Sequence, residues 1–280
     1  MSAAVAVRGL TMRYGDVDAL KGIDFTIEAG EVFGLLGPNG AGKTTTVEIL
    51  EGYRRRTGGS VEVLGQDPPH ASRAWRNQVG VVLQSSSLYP NLTVRESLRV
   101  FAGYYDAPRD ADEVTTLVGL DDKAGARVRT LSGGQKRRLD LGLALIGDPE
   151  LIFLDEPTTG FDPGARRTAW DTIRNLRSLG KTVLLTTHYL DEAEQLADRV
   201  AVLRDGEIVR EGTPAELTGG SGETEIRYRR DGNDVVERTT DATHRLNQLT
   251  SEALARGETL DELEMRRPSL EDVYLELTRD

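Results

Sequence analysis

The chain has 280 residues, of which 38% are hydrophobic and 29% are charged, as in an ordinary globular protein. It has 46 acidic and 35 basic residues, and its net charge of −11 disfavours non-specific binding to nucleic acid. Cysteine is absent, which excludes disulfides, thiolate zinc sites and cysteine nucleophiles. Neither a signal-peptide pattern nor an apolar run near the ~20 residues of a membrane span is present, so we expect a cytoplasmic protein.

Strand-like sequence dominates the start of the chain. AVAVRGLTMRYG (4–15) and DFTIEAGE (24–31) predict two strands, and EVFGLLG (31–37) predicts a buried one. Similar apolar runs at 79–83, 151–154 and 182–187 are each followed by helix-like sequence, which is typical of parallel strands covered on both faces. Ligands bind at the carboxyl ends of such strands. We predict an α/β fold with a mainly parallel sheet and a site at the edge where these four strands end.

A phosphate-binding loop (P-loop) follows the first of these four strands. Residues 37–44 fit the pattern G-x-x-x-x-G-K-[ST] between a strand and helix-like sequence. Backbone N–H groups and the helix N-terminus would hold the β-phosphate. Lys43 would reach the β- and γ-phosphates of ATP, and Thr44 would ligate Mg²⁺. The predicted ATP-binding residues here are Gly37, Pro38, Asn39, Gly40, Ala41, Gly42, Lys43, Thr44 and Thr45.

The stretch from about 85 to 150 is predicted to form a helical insert beside the sheet. Thr93 and Glu96 stand at the spacing of a capping box. A second helix opens at Ser132-Gly133-Gly134, where a hydroxyl, bare backbone N–H groups and the positive helix end suit a γ-phosphate. Either the chain's own P-loop or that of another copy could supply this phosphate. The position in the insert, away from the sheet edge, favours another copy.

Polar residues with possible catalytic roles follow the third and fourth strands. Asp155 is predicted to hold the Mg²⁺ shell through water, and Glu156 to orient or deprotonate the attacking water. His188 is predicted to hydrogen-bond the γ-phosphate. An isolated Asp-Glu pair is more often a solvated strand end, and a lone histidine is usually structural. The P-loop on the same predicted edge is what favours catalysis.

The last part of the chain is predicted to form an edge hairpin and a small second domain. Asp205-Gly206 separates two alternating runs within 198–212, which predicts a hairpin and an antiparallel edge. TGGSG (218–222) has the composition of a linker, giving domains of 1–217 and 223–280. In the second domain a strand-like run and a helix capped by Ser269 predict a small α+β module.

LSGGQ (131–135), between the P-loop and LIFLDEP (151–157), resembles the signature of ATP-binding cassette (ABC) transporter ATPases. The resemblance covers roughly residues 3–217 and implies a P-loop NTPase of the ABC type. In that family two cassettes stack head to tail, and each ATP lies between one P-loop and the partner's signature. The resemblance therefore implies a second ATPase subunit, with a homodimer expected, and ATP contacts from Ser132, Gly133, Gly134 and Gln135.

The resemblance also implies roles for single residues. Tyr14 resembles the aromatic residue that stacks on adenine. Gln84 resembles the Q-loop glutamine, which contacts Mg²⁺ and ATP and senses the membrane partner. Glu156 resembles the catalytic base, and His188 resembles the switch histidine.

Two further segments resemble parts of the family that contact other subunits. TTGFD (158–162) resembles the D-loop, which implies that Asp162 lies at the dimer interface beside ATP. Phe161 stands where leucine is commoner, a departure that concerns packing. Residues 85–98 resemble the segment that receives the coupling helix of a separately encoded membrane permease.

We predict an ATPase that needs ATP and Mg²⁺, dimerises around two ATP and drives a permease at the inner face of the cell membrane. The C-terminal sequence is similar to tails of ABC-2-type exporters, which implies export of drug, antibiotic or lipid-like cargo. One alternative is an import ATPase. The other is a soluble ABC ATPase of translation or DNA repair, although such chains usually carry two cassettes, long coiled-coil inserts or zinc cysteines. No nucleic-acid partner is expected.

Overall fold

The computed structural model describes residues 3–82, 88–218, 224–230, 232–266, 269–272 and 274. The chain divides into two compact units, Met1–Glu211 and Gly212–Asp280. Up to this division the elements are β1 (Ala3–Tyr14), β2 (Val17–Glu28), β3 (Val32–Leu36), α1 (Lys43–Leu50), β4 (Gly58–Val63), α2 (Arg73–Asn77), β5 (Val79–Val82), α3 (Val94–Ala102), α4 (Ala111–Leu117), α5 (Gly133–Leu145), β6 (Leu151–Asp155), α6 (Pro163–Ser178), β7 (Thr182–Thr187), α7 (Leu190–Leu196), β8 (Arg199–Arg204) and β9 (Glu207–Gly212). The remaining elements are α8 (Pro214–Leu217), β10 (Thr224–Arg230), β11 (Asn233–Thr239), α9 (Ala242–Arg256) and β12 (Asp261–Arg266).

The core of the larger unit is a six-stranded sheet in the order β5-β6-β7-β3-β8-β9. The first five strands in this order, β5, β6, β7, β3 and β8, run parallel. Every residue of β3, β6 and β7 is buried. β9 returns from β8 through Asp205 and Gly206, whose φ angles of 50° and 81° suit a two-residue hairpin turn. The predicted parallel sheet with an antiparallel edge is therefore confirmed.

A second, antiparallel sheet in the order β2-β1-β4 shares a hydrophobic core with the main sheet. Phe25 of β2 stacks on Phe33 of β3 with ring centroids 5.4 Å apart. β4 was not predicted, because it opens with two glycines, a composition that indicates a loop. In the structure a Cβ on Gly59 would lie 2.3 Å from the Gly9 carbonyl oxygen, so glycine permits the close approach of β4 to β1.

Helices α3, α4 and α5 form the predicted helical insert. Their buried residues Leu98, Val114 and Leu139 belong to the same core as one face of the main sheet, including alternate residues of β6. α3 begins with the predicted capping box: the Glu96 N–H donates to Thr93 Oγ1 at 3.2 Å, and the Thr93 N–H donates to Glu96 Oε2 at 2.8 Å. The insert thus continues the core that supports the carboxyl end of β6.

The smaller unit is an α+β module with a β11-β10-β12 sheet. Ile226 and Tyr228 of β10 pack with Leu249 of α9 in its core. The Asp272 N–H donates to Ser269 Oγ at 3.3 Å, which is the contact expected of the predicted helix cap. Among the residues that the structure describes, no helix is long and apolar enough to cross a bilayer.

The division between the units comes earlier than the boundary expected at residue 217. α8 belongs to the second unit and starts directly after β9. Thr213 and Glu216 form a reciprocal capping box at its start, with hydrogen bonds of 3.1 and 2.8 Å. Since most of the expected linker lies outside the described residues, the domains 1–217 and 223–280 stay a prediction.

Candidate functional site

The loop between β3 and α1 has a glycine at each end, one favoured by lack of space for a side chain and the other by its backbone angle. A Cβ on Gly37 would lie 2.3 Å from the Leu203 carbonyl oxygen. Gly42 is the N-cap of α1 with a φ of 112°, in the region that side chains disfavour. The loop therefore folds tightly against β8 and directs the N-terminus of α1 toward the carboxyl edge of the sheet.

Lys43 crosses this loop and is almost completely buried. Its Nζ donates to the carbonyl oxygens of Gly37 and Pro38 at 2.8 and 3.1 Å and lies 3.6 Å from Glu156 Oε1. Burial lowers the pKa of Lys43, while the charges of Glu156 and Asp155 oppose that shift. A bound polyphosphate would add further negative charge beside this buried ammonium.

Asp155 ends β6 beside the first turn of α1. Its Oδ1 accepts from Thr186 Oγ1 at 2.5 Å, and its Oδ2 accepts from Thr44 Oγ1 at 3.5 Å. A hydroxyl and a carboxylate beside a phosphate loop are the hard oxygen donors that Mg²⁺ prefers, usually with substrate phosphates and waters completing its shell. The residues present therefore fit the predicted Mg²⁺ site.

Glu156 occupies a strained backbone position at the end of β6, with a φ of 46°. Its N–H donates to the Thr186 carbonyl oxygen at 3.1 Å, which holds the turn against β7. Oε2 accepts from Thr159 Oγ1 at 3.2 Å, and Oε1 lies 3.3 Å from His188 Nδ1. Burial alone raises the pKa of Glu156, but the contact with His188 and the charge of Lys43 outweigh it and keep the pKa below its usual value. The carboxylate is therefore anionic at neutral pH.

These residues line one cleft of about 550 Å³ at the carboxyl edge of the sheet. His188 follows β7, and its ring lies 4.1 Å from that of Tyr189. The cleft brings together residues that are distant in sequence: Asn39, Gly40, Gly42, Lys43, Thr44, Thr45, Glu156 and His188, with Ala19 and Thr159 added. Asp155 joins them through Thr44.

Tyr14 lies beside this cleft, and its hydroxyl is 3.4 Å from Thr45 Oγ1. Its side chain is 38% exposed, so part of the ring is open to a ligand. Gln84, the other predicted residue outside the loop, lies outside the described residues.

The predicted signature residues line a different cleft of about 500 Å³. Ser132 caps α5, because the Gln135 N–H donates to its Oγ at 3.3 Å and the Ser132 N–H donates to Gln135 Oε1 at 2.9 Å. The hydroxyl that we expected to face a phosphate is thus engaged with its own helix. The N–H groups of Gly133 and Gly134 make no hydrogen bond within the described part of the chain. They remain available as donors.

The predicted D-loop joins the two clefts. Asp162 caps α6, accepting from the Gly164 and Ala165 N–H groups at 2.9 Å. Phe161, Asp162 and Ser132 line the second cleft, while Glu156 and Thr159 line both. Within one chain the P-loop and the signature therefore face separate clefts with a shared wall.

The sequence analysis missed two residues of this region, the half-buried Arg137 and the buried Glu192. Arg137 of α5 donates to the Asp155 carbonyl oxygen at 2.9 Å and to the Pro157 carbonyl oxygen at 3.1 Å. Glu192 of α7 is fully buried, and its Oε1 accepts from Thr158 and Trp170 at 2.7 and 3.1 Å. The sequence gives no signal for Glu192, because it stands in the acidic stretch DEAE (191–194), which looks like a solvated helix face. Arg137 looks like its neighbours in a basic run.

A family model described as "ABC transporter" matches residues 20–159. The chain is 44% identical over 240 residues to the Nod factor export ATP-binding protein I of Burkholderia lata, which covers 84% of this chain and 76% of that protein. It is 39% identical over 304 residues to the daunorubicin resistance ATP-binding protein DrrA3 of Streptomyces coeruleorubidus, covering 99% and 96%.

Two solved structures resemble the chain. An ATP-binding subunit of an ABC transporter matches in fold with a TM-score of 0.73 at 24% identity, over 99% of this chain and all of that one (100%). A dimeric ATP-binding cassette in a post-hydrolysis state, bound to ADP and phosphate, matches with a TM-score of 0.66 at 27% identity, over 75% and 98%.

Proposed function

The chain belongs to the ABC transporter family, and from that premise we propose that it powers export, with two copies closing around two ATP to act on a separately encoded permease. Its activity is ATP hydrolysis. The observation that supports the proposed dimer is the separation of the P-loop and the signature into two clefts of one chain. Each cleft would then supply half of an ATP site, and a second copy would supply the other half.

In the proposed mechanism the P-loop N–H groups and Lys43 bind the phosphates of ATP, and the ring of Tyr14 stacks on the adenine. Lys43 exchanges its carbonyl contacts at Gly37 and Pro38 for phosphate oxygens. Thr44 and Asp155 would hold Mg²⁺, which when bound neutralises phosphate charge. From the resemblance we add Gln84 as a further Mg²⁺ contact.

We assign the proton transfer to Glu156. Because its pKa is lowered, the carboxylate is deprotonated and can accept a proton from the attacking water. Thr159 holds its second oxygen by a hydrogen bond. His188 Nδ1 lies 3.3 Å from Oε1 of that carboxylate, and in the proposed site its ring would hydrogen-bond the γ-phosphate. Ser132, Gly133, Gly134, Gln135 and Asp162 of the second copy would close over the same phosphate, with the two free glycine N–H groups as donors.

Export is proposed from the names of the relatives. Two of them are named for Nod factor export and for daunorubicin resistance, and they are 44% and 39% identical to this chain. The chain would act at the inner face of the membrane, held there by the permease. The smaller unit would be an accessory module of the cassette.

The test uses inside-out membrane vesicles that contain the chain together with its permease. We expect ATP added outside to drive accumulation of daunorubicin or a related amphipathic compound in the vesicles. Glu156→Gln should abolish accumulation, because the carboxylate that accepts the proton is gone, and should trap an ATP-bound dimer on size exclusion. ATP-dependent release of the compound would indicate import, and wild-type turnover by E156Q would remove Glu156 from its role.

A further inference from the structure

Arg54 lies just beyond the end of α1 and covers the ring of Tyr14. Its guanidinium carbon is 5.1 Å from the ring centroid. Two hydrogen bonds to Glu48 hold it there: Nε donates to Oε2 at 2.6 Å, and the backbone N–H donates to the carbonyl oxygen at 2.9 Å. The hydroxyl of Tyr14 is 3.4 Å from Thr45. The ring is therefore held both on its face and at its edge.

We propose that Arg54 is a positioning residue for the adenine base, which it serves by fixing the orientation of the Tyr14 ring. This inference rests on the proposed ATP site, since it requires the base to lie on Tyr14. A cation over an aromatic face is attracted by the ring quadrupole. A ring already fixed in its bound orientation loses less rotamer entropy when the ligand arrives.

The supports of the ring belong to the same helix as the phosphate loop. Thr45 and Glu48 both lie on α1, whose first residue is Lys43. The position of the Tyr14 ring relative to the phosphate-binding loop is therefore set by one rigid element. Arg54 connects the far end of that element to β1, on which Tyr14 is the last residue.

The neighbouring Arg55 provides a matched control. Its side chain is exposed, and within the described ranges it makes no hydrogen bond, ion pair or ring contact. Arg54→Ala and Arg55→Ala remove the same charge from adjacent positions. Only the first removes a contact with Tyr14.

The experiment measures binding of ATP and of inorganic triphosphate to the full chain by calorimetry. Since a cation–π contact at an exposed site can favour one ring orientation by a factor of roughly two to five, we expect R54A to weaken ATP binding by up to that factor. Triphosphate binding should not change, because it has no base. R55A should change neither, and Arg54→Lys should recover part of the loss by restoring the charge.

A double-mutant cycle makes the assignment specific. In a Tyr14→Ala background R54A should add no further loss, and Glu48→Ala alone should reproduce R54A, because each removes one member of the same arrangement. Equal weakening of ATP and triphosphate by R54A would overturn the inference, as would tighter ATP binding, which would put the guanidinium on the stacking face. A wild-type chain that binds no ATP would instead contradict the proposed function.

Discussion

Glu51, the residue after α1, has a carboxyl group held in an unfavourable environment. Its Oε1 is buried and has no hydrogen-bond partner within the part of the chain that the structure describes. Burial, together with the charges of Asp155 and Glu48, raises the pKa of Glu51 to about 8. The folded chain therefore binds a proton there at pH values where the unfolded chain has released it.

This raised pKa predicts a pH-dependent effect of Glu51→Gln. Because the folded-state pKa lies above the unfolded one, the wild type loses stability as the pH rises from about 4.5 to 8. Each pKa unit corresponds to about 1.4 kcal/mol, so the rise from 4.5 to about 8 corresponds to a total loss on the order of 5 kcal/mol. We expect the Tm of the variant, measured in EDTA, to exceed that of the wild type by a margin that grows with pH. Exposed Glu62→Gln is the control, and a pH-independent Tm difference for E51Q would contradict the assignment.

Two helices of the insert begin with the same kind of cap but differ in the hydrogen bonding of the N–H groups that follow it. Thr93 caps α3 and Ser132 caps α5, each in a reciprocal capping box. Only α5 continues with two glycines whose N–H groups are unpaired in the described structure. The proposed dimer uses that helix end and not the end of α3.

Ser132→Ala and Thr93→Ala should therefore separate helix stability from dimer formation. Losing either cap costs about 1 kcal/mol, so we expect both variants to have a similarly lowered Tm. In an E156Q background S132A should also reduce the fraction of ATP-induced dimer on size exclusion, because the N–H groups of α5 would no longer be held toward the partner's phosphate. Equal dimer fractions in the two variants would show that this helix end does not contact ATP.

Some functional residues of the candidate site could be predicted from the sequence, and others could not. Lys43, Asp155, Glu156 and His188 could be assigned because each stands where a buried strand ends, and parallel strands bring those ends together. Arg137 and Glu192 could not, because their partners are the backbone of the β6 turn, Thr158 and Trp170, contacts that no local pattern encodes. The capping role of the Ser132 hydroxyl was missed for a similar reason, since the sequence analysis weighed the glycines and not Gln135.

For the whole molecule, the central question is whether a complete ATP site needs a second copy. In one chain the P-loop cleft and the signature cleft share Glu156 and Thr159 but have otherwise separate linings. A head-to-tail pair would place the intact signature of one copy over the P-loop of the other. That arrangement makes the two motifs separable by mutation, which an active site within a single chain does not allow.

Mixing two inactive variants tests this arrangement. Lys43→Ala keeps its signature but loses the phosphate contact, and Ser132→Arg keeps its P-loop but blocks the helix end. Each variant alone should be inactive because both sites of its dimer are damaged. In an equal mixture half of the dimers are mixed and carry one intact site, so we expect up to about a quarter of wild-type ATPase activity if sites act independently.

The measurement is phosphate release after co-refolding or exchange of subunits, with each variant mixed with itself as the control. No recovery in a mixture shown to contain mixed dimers would mean that the motifs act within one chain or that both sites must be intact, and recovery in proportion to the mixed dimer would establish that each site is built from two copies.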